Sequence, residues 1–287
     1  MNDLNEIKLS ALEIRKLTLL SIYSAKSGHP GGSLSCADIL ASIYSRIFHG
    51  VSNTGRVDRD HFILSKGHAA PALYAAAAVF NVIEYSELKG LRKLGAKNQG
   101  HPHIGTTPWV EASTGSLGQG FSVSMGMALG LKYQGVNSSV FSLLGDGEMQ
   151  EGEVWESLMS AAHFKLYNLC AILDYNKLQS DDTNIKTMNL EPLVDKIKAF
   201  GWNVISIDGH NLEAIDSALN EFRENFDKPT FIIAHTIKGA GVDFMENKPE
   251  WHGSVKLTLM DLKRGLTSLG FSESQCDEYI SEYAYDN

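Results

Sequence analysis

The chain has 287 residues, 43% of them hydrophobic and 21% charged, which is enough apolar material for one large core or two small ones and argues against a disordered chain. A net charge of −9 disfavours non-specific binding to nucleic acid or to an anionic membrane surface. The start, MNDLNEIKLS, lacks the basic and apolar run of a signal peptide, and the longest apolar run, 69–80, is too short to cross a bilayer and contains Pro71.

Along the chain, Ile7, Ala11, Ile14, Leu17 and Ile22 recur at helical spacing and predict a helix over 4–26. The stretch Ser27-Gly28-His29-Pro30-Gly31-Gly32 cannot continue it. A second helix is expected over 35–47, a short strand over 61–64, and a turn at 65–68. Pro71 suits an early helical position, so the apolar segment 72–80 reads as a helix. Glycine-rich punctuation at 99–107 and 115–120 precedes a helix over 121–133.

The second part is more regular. Continuous apolar runs at 140–144 and 169–173 read as strands buried on both faces, and 153–164 as the helix between them. Helices over 194–200 and 212–222 alternate with strands over 203–207 and 231–234. The alternation predicts an α/β fold with a parallel sheet flanked by helices. Residues 1–270 are expected to form one cofactor-binding unit and 271–287 an acidic C-terminal tail. Three widely spaced cysteines, Cys36, Cys170 and Cys276, offer neither a disulfide framework nor metal-ligand spacing, and point to a reducing cytoplasm.

The sharpest signal is Gly145-Asp146-Gly147 directly after one buried strand, with Asn176 directly after the next, 30 positions on from Asp146. That spacing fits strand, turn, helix, strand, so both side chains should emerge at carboxyl ends of neighbouring strands, where open α/β sheets collect their ligands. Asp carboxylate, Asn amide oxygen and a backbone carbonyl are hard oxygen donors suited to Mg²⁺ or Ca²⁺. Gly147 lets backbone approach a phosphate, and the helix that follows presents free N–H groups to it. Asp-Gly alone is also a common turn; the downstream Asn in a buried-strand context favours the functional reading.

Of ten histidines, His29, His68, His101 and His210 directly follow a glycine, and His252 precedes one. A glycine beside a histidine keeps the backbone thin, so that an imidazole can point into a cleft and donate to a sugar oxygen or move a proton. His210, in Asp208-Gly209-His210-Asn211, reads as an ordinary strand-to-helix turn. The methionines Met125 and Met127 read as core or interface packing.

The segments GDGEMQEGEVWES and LDYNKLQSDD resemble the thiamine-diphosphate enzymes. The full set SGHPGGSLS, LSKGHAAPALY, QGHPH, STGSLGQG, GDGEMQEGEVWE and WHG resembles transketolase in order and spacing, over nearly the whole chain. The resemblance implies the thiamine diphosphate-binding fold, with thiamine diphosphate and Mg²⁺ as cofactors and Ca²⁺ or Mn²⁺ as possible substitutes. It implies Asp146, Asn176 and the carbonyl of Leu178 as metal ligands. His68, Gly147 and His252 would meet the diphosphate and Gly115, Ser116, Leu117 and Gly118 the aminopyrimidine, with Glu148 and Asn176 also in the cofactor-binding set. His29, His101 and His252 would line the substrate channel, with Glu151 at the interface that links two active sites.

The implied reaction moves a two-carbon ketol unit from a ketose phosphate to an aldose phosphate, as in pentose phosphate metabolism. The glutamate that protonates the pyrimidine belongs, in the family, to a second domain. A separately encoded transketolase subunit carrying pyrimidine-binding and C-terminal domains is therefore the expected partner, in an α₂β₂ assembly, with no role for nucleic acid or membrane. His101-Pro102-His103 and Trp109 depart from the family's usual His-Pro-Glu or His-Pro-Asp and Gly, which leaves room for an unusual branched or sulfonated sugar. Other readings are a dihydroxyacetone synthase, a deoxyxylulose-phosphate synthase or an E1-like subunit, and a degenerate thiamine-binding regulatory module. An unrelated nucleotide-binding domain would need a phosphate loop G-x-x-x-x-G-K-[ST], which the sequence does not contain.

Overall fold

The computed structural model describes residues 3–47 and 58–284. Five strands form a single parallel sheet: β1 (His61–Leu64), β2 (Val140–Gly145), β3 (Leu169–Tyr175), β4 (Asn203–Asp208) and β5 (Thr230–His235), in the order β1-β2-β3-β5-β4. The apolar runs become strands because each is buried over its whole length, apart from the edge strand β4 and the last residue of β5. Side chains alternate between the faces. In β2, Phe141 and Leu143 enter one core, while Val140 and Leu144 enter the other. Each fully buried residue of this size contributes about 1.5–3 kcal/mol over the exposed state.

The first core is covered by α1 (Leu4–Ala25), α3 (Ala37–Ile47), α4 (Ala70–Val79), α9 (Leu212–Glu224) and α10 (Leu259–Ser268). The second is covered by α5 (Gln119–Tyr133), α6 (Gly152–His163) and α8 (Leu193–Ala199). Asp3 caps α1 by accepting from the Asn5 N–H, and Lys26, at φ 54°, ends it in the left-handed region. The acidic segment after 270 forms α11 (Glu273–Ala284), which packs on α1 and α10 with Cys276 buried.

The short helices differ most from the sequence-based expectation. The second helix begins earlier and is split at Cys36, with the glycine-rich stretch itself forming the short helix α2 (Pro30–Ser35). Pro30 sits at the first helical position with φ already set, and all six residues are buried, so tertiary packing overrides the poor propensity of Gly31 and Gly32. A further short helix, α7 (Asn184–Thr187), follows β3. Among the described residues no helix is long and apolar enough to cross a membrane.

The register aligns the carboxyl ends of the central strands. Gly145 of β2 pairs with Asp174 of β3, and Tyr175 of β3 with His235 of β5. Loops leaving β1, β2, β3 and β5 therefore open on one edge of the sheet, and the candidate residues gather there.

Candidate active site

Asp146 directly follows β2 and caps a tight 3₁₀ turn, Gly147–Gln150. Its Oδ1 accepts from the Gly147 N–H at 2.8 Å and its Oδ2 from the Lys177 N–H at 2.5 Å, which joins the β2 and β3 loops. The carboxyl is buried, and burial together with the charge of Asp174 pushes it up to about 6. Asn176 follows β3 directly. Its amide donates to Asp174 at 3.3 Å and its Oδ1 accepts from the Leu178 N–H at 3.2 Å. Lys177, at φ 67°, reverses the chain so that the Leu178 carbonyl joins the same cavity.

That cavity holds about 240 Å³. It is lined by His68, Leu117, Asp146, Gly147, Glu148, Glu151, Asn176, Leu178 and His252 among the residues picked out by sequence. Glu148 is fully buried. Its Oε1 accepts from Ser65 Oγ at 2.5 Å and the Gly118 N–H at 2.9 Å, and its Oε2 from the Gly145 N–H at 3.1 Å. Glu148 thus ties the loop after β1, the start of α5 and the end of β2 into one frame. Glu151 lies at the exposed rim, as does Ser116.

His29 and His101 stand beside the cavity and complete an imidazole cluster. Ring centroids lie 5.6 Å apart for His29 and His68, 6.4 Å for His29 and His101, 6.2 Å for His29 and His252, and 5.2 Å for His68 and His252. The His101 ring rests on Gly115, where φ is +143° and a Cβ would sit 3.0 Å from the ring, so both space and backbone demand glycine. Tyr74 holds the same loop from below, its hydroxyl donating to the Gln99 carbonyl at 3.0 Å, and Trp109 stacks edge-on against Tyr74. His103 is exposed on that loop, and neither it nor Trp109 lines the cavity.

All four rings are held uncharged at neutral pH. Burial, then Arg92, His101 and Lys238, lowers His29 to about 4, and burial, then Lys238, His29 and Lys66, lowers His252 to about 3. Burial and then Lys66 hold His68 well below its usual value, while burial and Arg92 lower His101. Neutral imidazoles offer one N–H and one acceptor each. For His252 the tautomer follows from Lys238, whose Nζ lies 2.6 Å from Nδ1: an ammonium can only donate, so Nε2 carries the hydrogen.

Five residues of this neighbourhood were not singled out by sequence. Lys66 and Asp174 form a fully buried ion pair at 2.5 Å beneath the cavity, and Asp174 also accepts from Ser35 Oγ and Thr236 Oγ1. Lys238, lowered to about 8 by burial, donates to the Leu178 carbonyl at 2.8 Å. Gln179 lines the cavity with its Nε2 buried and unpartnered among the described residues. Arg92 stands behind His29. Asp174 precedes Asn176 by two positions, and Lys66 and Lys238 follow the carboxyl ends of β1 and β5. The strand-end rule, applied to every strand, finds all three. His210 bonds Asp38 at 2.7 Å and accepts from the Ile237 N–H at 2.8 Å, so it is a strut outside the cluster.

The donor chemistry fits a diphosphate held through a hard cation. A buried carboxyl raised by its environment, an amide oxygen and a carbonyl lie together at one cavity, whose lining also includes the Lys66 and Lys238 ammonium groups and the unpartnered Gln179 amide N–H.

The family described as transketolase, thiamine diphosphate binding domain, matches residues 7–285. The chain is 42% identical over 254 residues to a 6-deoxy-6-sulfo-D-fructose transketolase subunit of Clostridium sp. (strain MSTE9), covering 88% of this chain and 92% of that one. It is 37% identical over 250 residues to an apulose-4-phosphate transketolase subunit of Phocaeicola vulgatus, covering 87% and 89%. Human transketolase is 38% identical over 252 residues, but only 40% of its length is covered. The crystal structure of transketolase from Campylobacter jejuni superposes with a TM-score of 0.89 at 30% identity, covering 99% of this chain and 46% of that one. The chain therefore spans less than half the length of the human and Campylobacter transketolases and most of the length of the two subunits.

Proposed function

The chain belongs to the transketolase family through its thiamine diphosphate-binding domain, and from that premise we propose that it is the diphosphate- and metal-holding subunit of an enzyme that transfers a two-carbon ketol unit from a ketose to an aldose. The observation that carries the reading is the convergence of Asp146, Asn176 and the Leu178 carbonyl on a cavity bordered by four uncharged imidazoles. Thiamine diphosphate, when bound, supplies the chemistry that breaks and forms the carbon–carbon bond.

This chain's residues bind, orient and move protons. Asp146 Oδ, Asn176 Oδ1 and Leu178 O would hold Mg²⁺, with Ca²⁺ or Mn²⁺ as substitutes. The Leu178 carbonyl has two lone pairs, so it accepts from Lys238 and still offers one to a cation. His68, Gly147, Lys66, Lys238 and Gln179 would meet the diphosphate, and Leu117 would lie against the aminopyrimidine in the loop of Gly115, Ser116 and Gly118. Glu148 serves by fixing that loop to the end of β2. His29, His101 and His252 would face the substrate oxygens, donating or accepting a hydrogen bond and shuttling a proton, a contribution of ~10²–10⁴ in rate. Glu151 at the rim would meet the neighbouring subunit.

The partner would be a separately encoded transketolase subunit with the pyrimidine-binding and C-terminal domains, in an α₂β₂ assembly. Support comes from the two relatives matched over nearly their whole length, both named as subunits. Residues 1–270 would form the cofactor-binding unit. Three free, buried cysteines suit the reducing cytoplasm. The donor would be a ketose with an anionic tail, sulfonate or phosphate, because the relatives are named for both.

The test of the site is anomalous diffraction from crystals of the complex grown with thiamine diphosphate and Mn²⁺. Manganese bound by Asp146, Asn176 and Leu178 O is expected; manganese bound elsewhere on the chain overturns the assignment. A panel of 6-deoxy-6-sulfo-D-fructose, apulose 4-phosphate, xylulose 5-phosphate and fructose 6-phosphate then defines the donor.

A further inference from the structure

Arg92 connects three separated segments at the back of the imidazole cluster. Its NH1 donates to Ser27 Oγ at 2.8 Å and to Ser254 Oγ at 3.1 Å, and its NH2 lies 3.2 Å from His29 Nδ1. The backbone at Arg92 has φ 58°, a conformation that a long side chain adopts only when its surroundings hold it there. The Arg92 N–H donates to the Asn98 carbonyl, which closes the loop leading to His101. A Cβ on Gly100 would meet Arg92 Nε at 3.1 Å, so the residue next to His101 is also shaped around this guanidinium. Among the described residues no carboxylate pairs with Arg92, although the side chain is half-buried.

A guanidinium carries five N–H donors and no acceptor, and it does not lose its proton in a protein. The contact with His29 therefore has one polarity: Nδ1 accepts, and the ring hydrogen must sit on Nε2. We propose that Arg92 is a positioning residue that locks His29 in the Nε2–H tautomer and keeps that ring an uncharged donor at the substrate. The inference rests on the reading of His29 as a substrate-facing group. The groups facing His29 are Arg92 on its own side, His68 and His101 from the neighbouring loops, and His252 and Lys238 from the loops after β5. None of them is an anion, so nothing in this set favours an imidazolium, and His29 stays neutral down to about 4, through burial first and Arg92 second. The Lys238–His252 contact repeats the device from the other side of the cluster. Two permanent or near-permanent cations thus face two imidazoles through Nδ1 and leave the opposite edges of the rings as donors.

A purely structural Arg92 would tie the three loops without setting the proton on His29, so the tautomer separates the two roles. The test is a long-range ¹H–¹⁵N correlation spectrum of the full chain labelled with ¹⁵N-histidine, with His29 identified by loss of its signals in His29→Gln. In the wild type, His29 is expected as the Nε2–H tautomer from pH 7 down to pH 5; an Nδ1–H tautomer overturns the proposal without any further variant. In Arg92→Met, His29 is expected to become a mixture of tautomers and to titrate at higher pH. An unchanged tautomer and midpoint in that variant would leave Arg92 as a loop tie only. His210, fixed between Asp38 and the Ile237 N–H, reports whether the variant keeps its fold. The spectrum reads a proton position and not turnover, so a failure of the ketol-transfer reading leaves its result standing, and the reverse holds too.

Discussion

Lys66 and Asp174 are fully buried charges next to the cavity, at 1% and 0% of their side-chain surface, and each depends on the other. Burial pushes the Asp174 carboxyl up, but the Lys66 charge and the hydrogen bonds from Lys66, Ser35 and Thr236 hold it below its usual range. Lys66→Met removes the cation and leaves the carboxylate buried, so it should destabilise the chain by about 3–5 kcal/mol in chemical denaturation. Asp146 presents the opposite case. It is buried beside another carboxylate and held up to about 6, and the proposed cation would relieve that repulsion. Asp146→Ala should weaken Mn²⁺ binding to the complex by at least the ~100-fold upper end seen for outer-shell changes at metal sites, read by titration with the paramagnetic ion. Residues carried by motifs, such as Asp146, Asn176 and His68, were legible in the sequence because local strand, turn and glycine signals frame them. Arg92 was not, because a lone basic residue in a loop has no local pattern and only the folded loops bring it onto His29; Lys238 is found only when the strand-end rule is extended to β5.

At the scale of elements, Asp38 joins α1, α3 and the turn before α9. Its Oδ1 and Oδ2 accept from Arg15 at 3.1 and 2.6 Å, and Oδ2 also meets His210 Nδ1 at 2.7 Å. Burial pushes this carboxyl up, and the hydrogen bonds and charges of His210 and Arg15 outweigh it, leaving it below 3.8. A carboxyl lowered in the folded state contributes stability above its unfolded value and loses it as pH falls through the folded value. Acid unfolding should therefore steepen below about pH 3.8 in the wild type. In Asp38→Asn that part of the pH dependence should vanish, with a loss on the order of 2 kcal/mol at pH 7, measured by denaturation across a pH series. The strands of the sheet were legible to within a residue or two, most of them because burial on both faces writes them as continuous apolar runs, the edge strand β4 from its place in the strand-helix alternation. α2 was not, since six residues with two glycines hold a helix only through what packs on them.

For the molecule as a whole, two apolar cores on either face of one parallel sheet support a site built from loops at a single edge. His101, Ser116 and Glu151 are exposed at its rim, and Val123 near the start of α5 carries apolar surface outward. In the proposed assembly the partner subunit would meet that open rim. The most direct measurement is two-carbon transfer from a ketose donor to an aldose acceptor, with thiamine diphosphate and Mg²⁺ present. It compares the purified chain alone with the chain joined by the partner that co-purifies with it from its native source. No transfer is expected from the chain alone, and transfer is expected once the partner is added, abolished by Asp146→Ala. Robust transfer by the chain without any partner would contradict the half-site reading.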